Sequence, residues 1–239
     1  MELGKNLPVR LYTGNPNKFL VLQHLVRLHE SKGHKVLVFL DNIFILKEYA
    51  AMLGKPYVCG EIPNQEREKI LQFFQHLPDW NVLFISKVGD VGLDLPDANV
   101  AIEVSSHFGS RRQETQRLGR ILRPKEHVKG QVYDSFFYSV VSSGTEEVKY
   151  ALKRQKFLIK QGYSFQIKHF EDYRPDIDKH RKELKMCSDK EQFDFLQKLV
   201  TSSFVEDNDR GKGLVLKSDE LKFSIKPNAD QPRRLYVEK

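Results

Sequence analysis

Two short stretches of this 239-residue chain carry side chains suited to binding phosphates and sugars. The first, residues 86–96, reads SKVGDVGLDLP and follows an apolar run, and the second, residues 116–123, reads QRLGRILR. In the second stretch Gln116, Arg120 and Arg123 are spaced by four and three residues, which places them on one face of a helix. Arginine presents a planar fork of donors to phosphate oxygens and stays charged at physiological pH. The spacing therefore indicates either a phosphate-binding face or a solvated basic face.

The first stretch adds groups that complement those arginines. Gly89 and Gly92 permit a tight turn or the close approach of a ligand to the backbone. Asp94 can accept hydrogen bonds from a sugar hydroxyl, and Ser86 and Lys87 are phosphate-contacting types at the end of a predicted strand. An ordinary strand-to-loop turn capped by an aspartate has the same composition. The two stretches, taken together in this order and at this separation, are therefore more informative than either stretch alone.

The elements that must position these groups alternate along the chain. Apolar runs of about four to six residues, at 36–40, 57–59, 82–85 and 100–104, are separated by amphipathic segments of helical length. This alternation predicts βαβ units and an α/β fold, a parallel sheet with helices on both faces. Ligands of such open sheets bind at the carboxyl ends of the strands.

Capping residues indicate where several helices begin and end. Asn15-Pro16 and Asp41-Asn42 each predict a helix start, and Gly54 predicts the end of the second helix. The lead-in at the amino terminus contains a short apolar run at 9–12 that predicts a strand or edge segment. Residues 131–141 are apolar and aromatic and predict a further strand.

The composition changes after residue 170, which predicts a domain at 1–170 and a charged, partly flexible extension at 171–239. Ser188 and Glu191 form a capping-box pattern. It predicts one amphipathic helix in the extension, with an apolar face made of Phe193, Leu196, Leu199 and Val200.

Charge and cysteine content restrict the class of protein. A net charge of +7 and a pI near 9.2 favour a polyanionic partner. The two cysteines are far apart and form no CxxC pair, which argues against a disulfide framework or a zinc site. We expect no membrane span, because no apolar run approaches the ~18 residues required, and the first residues do not resemble a secretory signal.

Together the two stretches resemble motifs V and VI of superfamily 2 helicases, which lie in the second RecA-like lobe of those enzymes. The resemblance is strongest to the xeroderma pigmentosum group B family of DNA helicases and translocases, and it covers roughly residues 11–170. The segments that carry this closer resemblance are 15–19, 84–90, 94–96, 105–107, 109–114, 116–120, 136–139 and 161–165.

The resemblance implies the C-terminal half of an ATP-dependent DNA helicase or translocase that acts in transcription initiation and nucleotide excision repair. Arg123 and Arg120 would approach the γ-phosphate, and Gln116 would place them or the attacking water. Gly92 and Asp94 would contact the ribose.

The resemblance also implies contacts between strand-end loops and the DNA backbone. These contacts would be made by Ser86, Lys87, Asn42, the amide after Gly60, Ser106, Arg111 and Arg112. Contacts to phosphates and sugars position a nucleic-acid strand without reading its bases.

One half of an ATP site is missing from the sequence. The chain contains no GxxxxGKS or GxxxxGKT phosphate loop and no acidic box after a predicted strand. We therefore expect a second lobe that is inactive alone, with ATP and Mg²⁺ held largely by an N-terminal lobe of the same protein. The expected partners are DNA, that lobe and the subunits of transcription factor IIH, in the nucleus, and no residue here is expected to bind a metal.

Two other functions fit parts of the pattern. A DEAD-box-like RNA helicase lobe typically carries His where this chain has Gln116 and Thr-Gly where it has Ile121-Leu122, which argues against that function. A non-catalytic DNA-binding or scaffold module could use the same fold. The intact set of Gln116, Arg120 and Arg123 argues against a module that has lost its catalytic function.

Overall fold

A seven-stranded sheet organises the part of the chain described by a computed structural model, namely residues 7–86, 98–105, 135–160, 166–209 and 235–238. The strands are β1 (Val36–Phe39), β2 (Tyr57–Val58), β3 (Val82–Ile85), β4 (Val100–Glu103), β5 (Phe136–Ser142), β6 (Ile167–Lys168) and β7 (Leu235–Glu238). Their order is β2-β3-β1-β4-β5-β7-β6. The first five strands in this order pair in parallel, and β7 pairs antiparallel with both β5 and β6.

Helices connect and cover these strands. They are α1 (Leu7–Thr13), α2 (Pro16–Glu30), α3 (Ile43–Leu53), α4 (Asn64–His76), α5 (Glu147–Lys160), α6 (Phe170–Lys179) and α7 (Asp189–Asp209).

Both faces of the sheet are buried. Successive side chains of a strand point to opposite faces, so each strand contributes to a core on either side. Val36 and Val38 join an apolar core with residues of α2, α3, α6 and α7. Leu37 and Phe39 join a second, smaller core with residues of α4. All four residues of β1 are buried, as expected for a central strand of a parallel sheet. The predicted α/β architecture with helices on both faces is confirmed.

The predicted caps are formed. The side chain of Asn15 accepts a hydrogen bond from the Asn17 amide at 3.0 Å, and that of Asn42 accepts one from the Ile45 amide at 3.0 Å. Gly54 ends α3 with φ 62°, a left-handed conformation that glycine adopts at little cost.

The prediction of a strand at residues 9–12 is wrong, because this segment lies within helix α1. Leu7, Arg10 and Thr13 are buried at a spacing of three residues, which is one face of a helix. Arg10 also contacts Ser202 of α7, at 3.4 Å. The partner that buries this face therefore comes from the far end of the chain, where local sequence reasoning cannot find it.

The described part of the extension contains two helices, where the sequence predicted one. Helix α6 was not predicted, because it is short, highly charged and interrupted by Pro175. Its residues Phe170, Tyr173 and Ile177 nevertheless lie in the same core as α2 and α3. The predicted capping box at α7 is confirmed, since the Ser188 amide donates to the Glu191 carboxylate at 3.0 Å.

Candidate functional site

The ends of four parallel strands converge at one edge of the sheet. In the register, Phe39 at the end of β1 lies beside Ile85 of β3 and Glu103 of β4, and Val58 of β2 lies beside Ile85. The residues that follow these strands therefore emerge at the same edge. They include Asp41, Asn42, Gly60, Ser86 and Ser105.

Asn42 lies at this edge, at the start of α3. Its side-chain oxygen accepts the cap hydrogen bond, and its side-chain amide nitrogen is a donor that this bond leaves unused. A donor at a helix start, next to the backbone amides of the first turn, suits an anion such as a phosphate. The structure thus places this predicted DNA-contacting residue where a backbone contact is chemically possible.

Gly60 lies in an exposed turn after β2. The next residue, Glu61, forms an exposed ion pair with Lys47 of α3. Lys47 was not identified from the sequence, yet its pairing brings an ammonium group to the loop that holds Gly60. Hydrogen bonding to Glu61 raises the pKa of Lys47.

Ser86 is the first residue after β3 and is only 3% exposed. Its amide donates to the Val58 carbonyl at 3.0 Å, which fixes its backbone. Its side-chain oxygen has no hydrogen-bond partner among the residues that the structure describes. A buried hydroxyl without a partner is costly, so this atom is a candidate to contact a ligand.

Ser105, next to the predicted contact residue Ser106, connects two of the loops. Its hydroxyl accepts a hydrogen bond from the Asp41 amide at 2.9 Å, and the Val104 amide donates to the Phe39 carbonyl at 3.0 Å. The chain segments that leave β1 and β4 are therefore held together at this edge.

A buried ion pair supports the end of β4. The ammonium of Lys18 on α2 lies 2.7 and 2.6 Å from the two carboxylate oxygens of Glu147, and both side chains are almost completely buried. The same ammonium donates to the Val104 carbonyl at 2.8 Å, and the Glu147 carboxylate accepts from the Ser142 amide at 2.9 Å. Burial lowers the pKa of Lys18, and the Glu147 carboxylate opposes that shift. The pair joins α2, β4, β5 and the start of α5.

A second buried ion pair lies on the other face of the sheet. Arg154 of α5 contacts Glu103 of β4 at 3.0 Å and donates to the Ser139 hydroxyl of β5 at 2.8 Å. Glu103 is the last residue of β4, so this pair also anchors the strand that ends at the candidate site.

Sequence reasoning did not identify either of these buried pairs. A signal was present, since Arg154 stands between Ala151 and Leu158 at spacings of three and four, on the buried face of α5. Such a position predicts a buried arginine, and a buried arginine requires an anionic partner.

The remaining predicted site residues lie outside the described part of the structure. They are Lys87, Gly92, Asp94, Ser106, Arg111, Arg112, Gln116, Arg120 and Arg123. Within the described ranges, no group of three or more His, Cys, Asp or Glu side chains could hold a metal ion. Among the helices described, none is both long and apolar enough to cross a membrane.

Comparison with known proteins covers most of the chain. The family model of the ERCC3/RAD25/XPB C-terminal helicase matches residues 3–226. A Dictyostelium discoideum protein named general transcription and DNA repair factor IIH helicase/translocase subunit XPB is 48% identical over 209 residues, 87% of this chain and 25% of that protein. A protein of the same name from Danio rerio is 55% identical over 159 residues, 66% of this chain and 20% of that protein. The chain thus spans about a fifth to a quarter of the length of these relatives.

Solved structures of similar shape include the C-terminal domain of the DEAD-box protein Dbp5, with a TM-score of 0.48 and 17% identity over 59% of this chain and 78% of that chain. The C-terminal part of the Fun30 ATPase domain has a TM-score of 0.45 and 22% identity over 55% of this chain and 43% of that chain. The family match covers most of the sequence, including both stretches singled out at 86–96 and 116–123. This chain belongs to the ERCC3/RAD25/XPB C-terminal helicase family.

Proposed function

We propose that this chain is the second lobe of an ATP-driven DNA translocase and that it completes an ATP site whose other half lies on a first lobe. The observation that carries the proposal is the convergence of four strand ends, which places Asn42, Gly60, Ser86 and Ser105 at one edge. In open parallel sheets that edge is the ligand-binding edge. The relatives matched over this chain are named helicase/translocase subunits, which fits this use of the edge.

The nucleotide is expected to lie against the chain that follows β3 and β4. Gly92 and Asp94 come soon after Ser86, and Gln116, Arg120 and Arg123 come after Ser105. Bound ATP with Mg²⁺ supplies the energy of phosphoryl transfer, and arginines of a second lobe stabilise charge that develops on the transferred group. The described residues suit this use, because two buried ion pairs hold β4 rigidly where it leads into that chain.

The DNA strand is expected to cross the same edge through its backbone. Asn42 offers an amide donor, the turn at Gly60 offers exposed backbone, and Ser86 and Lys87 follow the next strand. None of these groups distinguishes one base from another, which suits a motor that must move past every sequence. By the names of its relatives, the whole protein would work within transcription factor IIH, in the nucleus.

The test is to restore the missing half. The portion of the Dictyostelium discoideum relative that precedes the aligned region would be fused ahead of this chain, and ATP hydrolysis would be measured with and without duplex DNA. We expect no hydrolysis from the chain alone and DNA-stimulated hydrolysis from the fusion. The proposal would be refuted by a folded fusion that binds ATP but hydrolyses it no faster than the first lobe does without this chain.

The choice of nucleic acid is tested in the same assay. An RNA helicase lobe would respond to single-stranded RNA more strongly than to duplex DNA. We expect duplex DNA to stimulate more, and the opposite order would favour the RNA alternative.

A further inference from the structure

Helix α5 presents an exposed stripe that none of the functions above uses. The stripe consists of side chains at spacings of three, four and seven residues. They are Lys149, Leu152, Lys153, Lys156, Ile159 and Lys160, here called the α5 stripe. Residues at these spacings share one helix face.

The apolar members of the stripe are unusually open to solvent. Leu152 is 49% exposed and Ile159 is 53% exposed. They are seven residues apart, which is about two helical turns or roughly 10 Å along the axis. Two aliphatic side chains with this spacing on one face form the beginning of a seam of the kind that packs against a second helix.

The charged members of the stripe all have the same sign. Lys149 forms an exposed ion pair with Glu146 at 2.9 Å, and the Lys153 ammonium lies 5.5 Å from the centre of the Tyr150 ring. Lys156 and Lys160 make no ion pair with any described residue, and no acidic side chain lies in the stripe. The four lysines thus lie along one side of the two aliphatic side chains.

The opposite face of α5 is held firmly, so the stripe is a rigid surface. Arg154 is buried against Glu103 and Ser139, and Glu147 is buried against Lys18. These contacts fix the helix at two points more than one turn apart. A partner would therefore meet a preorganised face and would not have to order it.

We propose that the α5 stripe docks an acidic amphipathic helix of another protein. Leucine-like side chains of the partner would cover Leu152 and Ile159, and its Glu or Asp side chains would lie against the four lysines. This is the arrangement of a coiled-coil seam with flanking charges, in which the seam contributes affinity and the charges select the partner.

Nucleic acid and membrane surfaces fit the stripe less well. A phosphate backbone would pair with the lysines but would leave both aliphatic side chains without apolar partners. An interfacial membrane helix needs a wide apolar face free to enter the lipid. The apolar face of α5 is used by the sheet, and among the side chains of α5 that the structure describes only Leu152 and Ile159 are large, apolar and exposed. A helical protein segment satisfies both the apolar and the charged members.

The experiment measures binding of a labelled synthetic peptide to the full 239-residue chain by fluorescence anisotropy. The peptide is an amphipathic helix of about three heptads, with leucines along its seam and glutamates on both flanks. The comparison peptide carries lysine at every glutamate position. We expect the acidic peptide to bind, to bind less tightly as salt increases, and to slow amide exchange within 149–160, and we expect the lysine peptide not to bind.

Matched variants locate the binding site. Leu152→Ala combined with Lys156→Glu should weaken peptide binding by about tenfold or more. The control combines Phe73→Ala with Lys69→Glu on α4, which also changes one exposed apolar residue and one lysine four positions apart. We expect the control to change binding by less than about twofold. Unfolding curves would confirm that both variants are folded.

Three results would overturn the proposal. The acidic peptide could fail to bind, it could bind equally to both variants, or the lysine peptide could bind as well as the acidic one. The alternatives have their own readout. If the stripe binds nucleic acid or lipid, the α5 variant should bind duplex DNA or phosphatidylserine-containing vesicles less tightly than the unchanged chain does, and the acidic peptide should not bind at all. These readouts do not involve ATP, so they are independent of the proposed translocase function.

Discussion

At the scale of single residues, charges inside the molecule and charges on its surface obey different rules. Lys18 and Glu147 are each at most 1% exposed, whereas Lys149 and Glu146 are 68% and 62% exposed. Removing one partner of a buried pair leaves an unpaired charge away from water. Removing one partner of an exposed pair leaves a charge that water stabilises.

Lys18→Met should therefore destabilise the chain by about 3–5 kcal/mol, and the control Lys149→Met by less than about 1 kcal/mol. Adding Glu147→Gln to Lys18→Met should recover much of the loss, because the buried charge is then absent while an acceptor for the Ser142 amide remains. Urea unfolding monitored by circular dichroism measures all three. Equal effects of Lys18→Met and Lys149→Met would contradict the assigned burial.

The Ser86 hydroxyl gives a prediction of the opposite kind. It has no hydrogen-bond partner among the described residues, so Ser86→Ala should leave the free energy of unfolding unchanged or slightly increase it. Ser105→Ala is the control, because it removes the acceptor of the Asp41 amide and should cost about 1–2 kcal/mol. If Ser86→Ala proves the more destabilising of the two, its hydroxyl has a structural partner and is not held ready for a ligand.

At the scale of elements, α7 is part of the lobe through its contacts with α1 and α3. The ring of Phe195 packs 5.7 Å from that of Tyr49, and Lys198 forms an ion pair with Glu48 at 2.6 Å. A Cβ atom added at Gly14 would overlap a methyl carbon of Leu199. The extension therefore depends on the absence of a side chain at this position.

Gly14→Ala should loosen α7 from the lobe, at a cost of about 1–3 kcal/mol typical of overpacking. Hydrogen exchange should become faster in α7 and stay unchanged in α4, which lies on the other face of the sheet. Leu199→Ala added to Gly14→Ala should remove the steric clash but not the loss of apolar contact. Unchanged exchange in Gly14→Ala would mean that α7 does not rest on this position.

Helix α6 should respond to acid through His24 on α2. The His24 ring packs against Tyr173 at 5.4 Å, and burial lowers the pKa of His24, opposed by Asp176. As the pH falls, His24 is therefore protonated in the unfolded chain at a higher pH than in the folded chain. The stability from this contact is complete above about pH 6.5 and decreases as the pH falls through the lower pKa of the folded state.

Hydrogen exchange in α6 should therefore accelerate as the pH falls below about 6.5, after correction for the intrinsic rate. His24→Phe should flatten this dependence, whereas His76→Phe on exposed α4 should not. A pH dependence that survives His24→Phe would assign it to another group.

Features that depend on a few neighbouring residues could be predicted from the sequence, and features that depend on distant partners could not. The caps at Asn15 and Asn42 and the apolar run of β1 act within a few residues, and all were predicted correctly. Helix α1 and strand β7 depend on partners far along the chain, and neither was predicted. The candidate edge was predicted because parallel strands end together, but the burial of Lys18 and Arg154 was not, because a charged side chain looks the same in the sequence whether it is solvated or paired.

At the scale of the whole molecule, the charge balance of +7 and a set of backbone-type contact residues predict DNA binding of one kind. The isolated chain should bind duplex DNA weakly and without sequence preference, and its affinity should fall steeply as salt increases. In a plot of the logarithm of the binding constant against the logarithm of the salt concentration, each phosphate that the chain neutralises should contribute a slope of about −0.9. Titrations at several salt concentrations with two unrelated sequences measure this. Affinity that does not depend on salt, or that differs strongly between sequences, would contradict backbone binding.

The central claim is that Arg120 and Arg123 face the nucleotide while Ser86 and Lys87 face DNA. In the fusion with a first lobe, we expect Arg123→Ala to reduce kcat by roughly 10³–10⁵-fold, as the loss of an arginine finger does in other phosphoryl-transfer enzymes. DNA affinity should change little, and Arg123→Lys should not restore turnover, because an ammonium cannot reproduce the fork of donors. Lys87→Ala should do the reverse, weakening DNA binding and stimulation while sparing nucleotide binding. The deciding measurement is kcat and DNA affinity of Arg123→Ala side by side: lost turnover with unchanged affinity is predicted, and intact turnover with lost DNA affinity would show that the two faces have been assigned the wrong way round.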